Sequence, residues 1–141
     1  MPYEYLEHQA DIGIRAWGRD YAEALADAVR ALAALMVAPE GVEPKMELEA
    51  SAQAPSRELL AVELLNEVLS LLWLENLALA DVATVEVTGE EGNWQARVTL
   101  RGETIDPERH QVGTEVKAAT YSGLRLTEEE ARTTIQCLLD I

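Results

Sequence analysis

The chain has 141 residues, the size of one domain, and 11 Lys+Arg against 26 Asp+Glu give it a formal net charge of −15. This charge argues against a protein that binds nucleic acid on its own, because a phosphate backbone needs a basic face. A single cysteine excludes an internal disulfide, and the lack of a signal peptide and of an apolar run of ~18–20 residues argues against a membrane segment, so we expect a cytoplasmic protein without membrane contact.

The first 39 residues predict two short strands followed by a helix. Residues 3–7 and 12–17 are the predicted strands, on either side of a corner at 8–11. Asp20 with Glu23 three positions later is the acidic form of a capping box, which opens the helix. Apolar residues then recur at helical spacing until Pro39 ends the helix.

The middle of the chain predicts a strand and a second, longer helix. Residues 46–51 alternate between apolar and polar side chains, which indicates a strand with one face in water. Pro55 and Ser56 begin a helix that runs to about Glu75 and is apolar around most of its circumference, so we expect it to be buried between layers. Its polar stripe consists of Glu63, Asn66, Glu67 and Ser70.

The carboxy-terminal half predicts β structure. In order, it contains a hairpin of residues 83–88 and 94–101 around the loop 89–92, a polar connection at 102–114, a strand at about 116–127 with a bend at Gly123, a turn at 128–130, and a last strand from Arg132 to Ile141. No repeat or domain boundary interrupts these elements. The prediction is therefore one α+β domain over residues 1–141, with a mostly antiparallel sheet packed against two main helices.

Three carboxylates at strand ends form the leading candidate site. Asp11 precedes the second strand, Asp140 lies near the end of the last strand, and Ile141, the last residue, carries an α-carboxylate. Hard divalent cations prefer oxygen ligands, so these groups can form an open metal site completed by water. Alternatively, Asp11 caps a turn and Asp140 merely faces solvent, since turn aspartates are common.

Other polar residues have a structural and a functional interpretation. His8 lies three residues before Asp11 and can support a metal ligand, although histidines in turns are more often structural. Arg109 and His110 lie in the long polar loop, where binding residues concentrate. Lys117 has the same phase as Glu115, so the two residues can form a side-by-side pair on a wet face of the strand.

Three stretches of the chain together resemble the archease family: His8-Gln9-Ala10-Asp11-Ile12-Gly13-Ile14, Arg109-His110 through Tyr121, and the closing Asp140-Ile141. The resemblance implies that Asp11, Asp140 and the Ile141 carboxylate bind a divalent metal ion such as calcium, magnesium or manganese. It also places the Glu-Val-Lys-Ala segment near the metal, which suggests Lys117 as a phosphate contact. Two positions depart from the family pattern: Gln9 stands where Thr is usual, and Ser122 where His is frequent.

The resemblance implies a non-enzymatic function. Members of this family are small acidic proteins that assist a GTP-dependent tRNA-splicing RNA ligase, so we expect an accessory protein that promotes guanylylation and turnover of that ligase. A strongly acidic surface suits docking beside a basic RNA-binding enzyme. The residues leave a second hypothesis open, a stand-alone metal-dependent enzyme that acts on a small phosphorylated substrate held by Lys117. Nucleotide-binding and hydrolase motifs are missing from the sequence.

Overall fold

Eight strands form two antiparallel sheets that enclose two helices in this computed structural model, which describes residues 2–7 and 11–141. The elements, in chain order, are β1 (Tyr3–Glu7), β2 (Asp11–Gly18), α1 (Tyr21–Met36), β3 (Met46–Ala54), α2 (Arg57–Leu74), β4 (Leu77–Glu90), β5 (Asn93–Thr104), β6 (Ala118–Ala119), β7 (Arg125–Glu129) and β8 (Arg132–Asp140). One sheet has the order β1-β2-β8, with β6 and β7 both paired to β8; the other has the order β3-β5-β4. The predicted α+β class is confirmed.

Both helices begin where the sequence predicts, and both pack against strands of the two sheets. The Asp20 carboxylate accepts the backbone N–H of Glu23 at 2.9 Å, and the Ser56 hydroxyl accepts the N–H of Leu59 at 3.2 Å, so each helix has a capped amino terminus. Helix α2 is buried over one broad face rather than around most of its circumference, because Glu67, Ser70, Trp73 and Leu74 on its other side are exposed. The core therefore lies between the helices and the two sheets, and Cys137 is a buried part of it.

The predicted strand at 116–127 is wrong in its extent. It is replaced by the two-residue β6 and, after a turn, by β7. Gly123 has a positive φ of 66°, which lets the chain turn sharply between them. The predicted turn at 128–130 is also shifted, because Glu129 still pairs with Arg132 and the reversal uses the two residues between them.

The three-stranded sheet is longer than predicted. β4 begins at Leu77, directly after α2, and continues to Glu90, so only two residues separate it from β5. β5 in turn continues to Thr104, which takes Gly102 and Glu103 out of the predicted polar connection. A Cβ at Gly102 would lie 2.0 Å from the Ala78 carbonyl oxygen, so the strands approach each other there only because this residue has no side chain.

The segment after β5 crosses the end of α1. Backbone N–H groups of Gly113 and Thr114 donate to the carbonyls of Met36 and Leu35 at 2.8 and 2.7 Å. The last turn of a helix leaves carbonyls without partners inside the helix, and these two bonds satisfy such groups. The crossing directs the following residues, Val116 to Tyr121, toward α2 and β8.

Candidate functional site

Asp11 and Asp140 lie directly opposite each other on the neighbouring strands β2 and β8. Opposed residues of an antiparallel pair have Cα atoms about 4.5–5.5 Å apart and side chains on the same face, so the two carboxylates can share one cation. Asp11 is half-buried and Asp140 is exposed. The register of β2 against β8 thus brings together two residues that are 129 positions apart in the sequence.

The carboxylate of Ile141 follows this pair by one residue. The Ile141 side chain is half-buried and packs against the hydrophobic core, which holds this residue beside the strand end. Across residues 2–7 and 11–141, no three His, Cys, Asp or Glu side chains lie close enough together to hold a metal ion. A metal on Asp11 and Asp140 would therefore draw on other oxygen ligands, for which the Ile141 carboxylate and water have suitable chemistry.

Lys117 is joined to this site through its backbone. Its N–H donates to the carbonyl oxygen of Asp140 at 2.8 Å, and the next residue, Ala118, is the β6 partner of Asp140. The Lys117 side chain is exposed. Glu115 is exposed as well, and the two side chains form no ion pair within 4.0 Å in the part of the chain that the structure describes. The structure therefore does not favour the side-by-side pair as the role of Lys117.

Arg109 and His110 belong to a different cluster, which surrounds Glu103 of β5. The Glu103 carboxylate accepts hydrogen bonds from the Arg109 guanidinium and, at 2.6 Å, from the backbone N–H of Glu43. Lys45 lies 3.6 Å from the same carboxylate. Because only 5% of the Glu103 side chain is exposed, these contacts are what allow its charge to be buried.

His110 completes the cluster with a fixed tautomer. Its Nδ1 accepts the backbone N–H of Asp106 at 2.9 Å, so Nε2 carries the proton and donates to Glu103 Oε2 at 3.1 Å. The ring is fully buried. Both nitrogens are used within the chain, which favours a structural role for His110 over a partner contact. His8, the other histidine, lies outside the described residues.

The cluster also sets the acidity of Glu103. Hydrogen bonds from Arg109 first, and then from the Glu43 N–H and His110, lower the pKa of the Glu103 carboxyl from 4.5 to about 2, against the opposing effect of burial. Glu103 is therefore ionised at any physiological pH. The chemistry of this cluster is that of a satisfied ion-pair network, and it holds the loop around Glu43 against the turn at Asp106.

Three side chains of α2 near Lys117 were not predicted as site residues. The Asn66 amide exchanges two hydrogen bonds with the Ala119 backbone, the Trp73 indole donates to the Val116 carbonyl, and Glu63 accepts from the Tyr121 hydroxyl. The available signal was the polar stripe on an otherwise apolar helix, which includes Glu63 and Asn66. A buried helix with such a stripe needs polar partners, but the sequence does not say which segment supplies them.

Comparison of the sequence with known proteins finds members of the archease family. The model of the archease protein family matches residues 3–141. The archease of Methanopyrus kandleri is 33% identical over 141 residues, with 100% of both chains covered. The archease of Methanosarcina mazei is 33% identical over 139 residues, which cover 99% of this chain and 95% of that relative.

Solved structures show the same fold. The solution structure of Methanobacterium thermoautotrophicum protein 1598 matches with a TM-score of 0.84 at 25% identity, over 99% of both chains. The crystal structure of an archease from Thermotoga maritima, described as a possible chaperone, matches with a TM-score of 0.63 at 23% identity, over 96% of this chain and 94% of that one. Across the described residues, neither helix has the length and apolar character needed to cross a membrane.

Proposed function

This chain belongs to the archease family, and from that premise we propose that it is a metal-binding accessory protein of a GTP-dependent tRNA-splicing RNA ligase. In this proposal the protein is cytoplasmic, is not itself an enzyme, and promotes guanylylation and turnover of the ligase. The observation that supports it most is the register that sets Asp11 opposite Asp140, with the Lys117 backbone bonded to Asp140.

The proposed metal ligands are Asp11, Asp140 and the Ile141 carboxylate. Their oxygen chemistry fits a hard divalent ion (calcium, magnesium or manganese), and three carboxylates on adjacent strand ends would repel one another without a cation. A bound ion would supply positive charge for the phosphate oxygens of a nucleotide. Lys117, exposed beside these strands, would add a second positive group for the same anion.

The central experiment is a guanylylation assay. The purified protein is mixed with Mn²⁺ and GTP, with and without the ligase, and covalent GMP transfer to the ligase is measured. We expect transfer to accelerate only when both proteins are present, and Lys117→Ala to abolish the acceleration. Lys45→Ala is the matched control, because Lys45 is the other lysine of the chain and contacts Glu103 instead.

Two outcomes of this assay would contradict the proposal. If the ligase is guanylylated at the same rate with and without the protein, the accessory function is wrong. If phosphate is released from small phosphorylated substrates in the absence of the ligase, the alternative of a stand-alone metal-dependent enzyme is favoured instead.

A separate experiment tests the Ile141 carboxylate. Adding residues after Ile141 converts this carboxylate into a neutral peptide carbonyl, so we expect Mn²⁺ affinity to fall by about tenfold or more, roughly 1.4 kcal/mol. Calorimetric titration measures the affinity, and the same tag at the amino terminus is the control. Equal affinities for the two tagged proteins would remove Ile141 from the ligand set.

A further inference from the structure

We propose that three side chains on one face of α2 form a clamp that positions Lys117, with Asn66 as its central positioning residue. The clamp consists of Glu63, Asn66 and Trp73, and it holds the segment 116–121, in which Lys117 lies. This inference rests on the proposed function, since that function gives Lys117 its role. The contacts of the clamp are present in the free protein, so they can be tested without the ligase.

Asn66 contacts the segment as a neighbouring strand would. Its Nδ2 donates to the Ala119 carbonyl at 3.0 Å, and its Oδ1 accepts the Ala119 N–H at 2.8 Å. A carboxamide is the side-chain group that offers a donor and an acceptor in the same plane, as a peptide group does. Ala119 is 5% exposed, so water cannot readily replace these two bonds.

The other two contacts hold the ends of the segment. The Trp73 indole N–H donates to the Val116 carbonyl at 3.1 Å, and the Tyr121 hydroxyl donates to the Glu63 carboxylate. Positions 63, 66 and 73 are three and seven residues apart, which places them on one face of α2. Lys117 therefore lies between two anchored positions, Val116 and Ala119.

On the other side, the segment is held by β8. The Lys117 N–H donates to the Asp140 carbonyl at 2.8 Å, and the Thr120 N–H donates to the Leu138 carbonyl at 2.9 Å. Because β6 has only two residues, strand pairing alone supplies few bonds. The contacts from α2 add the bonds that a longer strand would have made. The pairing of Lys117 with Asp140 therefore depends on the position of the helix.

Asn66→Asp is the most direct test of the clamp. It keeps the shape of the side chain and the acceptor for the Ala119 N–H, but it removes the donor and places a negative charge against the Ala119 carbonyl. Ser70→Ala is the control, because Ser70 is exposed on the same polar stripe. Trp73→Phe is a second variant that keeps an aromatic ring and removes the N–H donor together with part of the ring surface, and we expect it to speed exchange of the Lys117 amide.

The first measurement is amide hydrogen exchange of the free protein. We expect Asn66→Asp to speed exchange of the Lys117 and Thr120 amides by about tenfold or more. Neither amide bonds to Asn66, so faster exchange there means that the whole segment has loosened. Ser70→Ala should exchange like the wild type. If only Ala119 exchanges faster, Asn66 is a local hydrogen-bond partner and the clamp is wrong.

The second measurement is stimulation of the ligase. We expect the maximal guanylylation rate with Asn66→Asp to fall about tenfold or more, with Mn²⁺ affinity and the half-saturating protein concentration within about threefold of wild type. A general folding defect would instead shift that concentration and the metal affinity. Full stimulation by Asn66→Asp would overturn the positioning role. If the wild type itself fails to stimulate, the proposed function is wrong, while the exchange experiment still decides whether Asn66 holds the segment.

Discussion

Glu103 and Asp140 lie at corresponding places, each at the end of a long strand, yet their surroundings differ in one essential respect. Glu103 is buried and accepts hydrogen bonds from Arg109, His110 and the Glu43 backbone. Asp140 faces another carboxylate, Asp11, across the sheet. Glu103 therefore has the hydrogen-bond donors it needs within the chain.

Under the proposed function, this difference separates a structural use of charge from a metal-binding one. A buried carboxylate whose donors lie within the chain has no need of a ligand, and removing one of its partners destabilises the fold. Two carboxylates that face each other repel, and the repulsion is relieved when a cation binds between them. The Glu103 cluster is thus complete in the free protein, whereas the Asp11–Asp140 pair is expected to change its energy on metal binding.

The largest expected effect is on metal binding by Asp11→Asn and Asp140→Asn. Either change removes an anionic ligand and keeps the shape, so we expect Mn²⁺ affinity to fall about a hundredfold, roughly 2.7 kcal/mol. The metal-free melting temperature should hold or rise, because a repulsion is lost. Melting curves with and without Mn²⁺ measure both effects. Stabilisation by metal equal to that of wild type, in both variants, would show that the pair is not the site.

His110→Phe should have the opposite effect to the two aspartate variants: it should lower stability and leave metal binding unchanged. The ring remains, but the Asp106 N–H and the Glu103 carboxylate each lose a hydrogen-bond partner, which we expect to cost about 1–3 kcal/mol of unfolding free energy. Mn²⁺ affinity should stay unchanged. Denaturant unfolding and calorimetric titration give the two values. A variant as stable as wild type would mean that the cluster contributes little to the fold, and a loss of metal affinity would mean that the two regions are coupled.

The sequence predicted the fold class and most elements because periodicity and capping are local signals. The caps at Asp20 and Ser56 and the alternation of the last strand depend on residues only a few positions apart. The pairing of Asp11 with Asp140 was not visible in spacing, because it depends on which strands become neighbours in the sheet. The resemblance to a family suggested it, and the register then brought the two residues together.

The segment from 102 to 127 shows why the rest could not be predicted. Glu103 and His110 resemble loop residues in the sequence, and the burial of the Glu103 charge depends in part on the Glu43 N–H and on Lys45, about 60 positions away. The strand predicted at 116–127 has suitable alternation, but side chains of α2 replace its strand partners. Non-local hydrogen bonds decide both cases, and a periodicity pattern carries no information about them.

A smaller effect is expected from pH on the Glu103 cluster. Hydrogen bonding from Arg109 lowers the pKa of Glu103 from 4.5 to about 2 in the folded protein. A lowered folded-state pKa means that the stabilisation is fully present above the unfolded value and is lost as pH falls from about 4.5 to about 2. Glu103→Gln should therefore be less stable than wild type at neutral pH. The difference in unfolding free energy between the two proteins should become smaller as the pH falls through this range. Denaturant midpoints measured across it test the sign, and a constant difference would contradict the shift.

The smallest stability effects are expected at the two lysines. One lies in each of the two regions compared, Lys45 beside Glu103 and Lys117 beside Asp140. Both side chains are exposed, so Lys45→Ala and Lys117→Ala should each change unfolding free energy by less than ~1 kcal/mol. Lys45 lies beside Glu103, which keeps its other donors, and its loss should leave ligase stimulation intact. Lys117 lies beside Asp140, and its loss should abolish stimulation at saturating Mn²⁺. Lys117→Arg should restore little of the stimulation, because a planar guanidinium differs in shape and hydrogen-bond directions from the compact ammonium of lysine. Equal stimulation by the two alanine variants would place Lys117 with Lys45 among surface lysines and remove the proposed phosphate contact of Lys117.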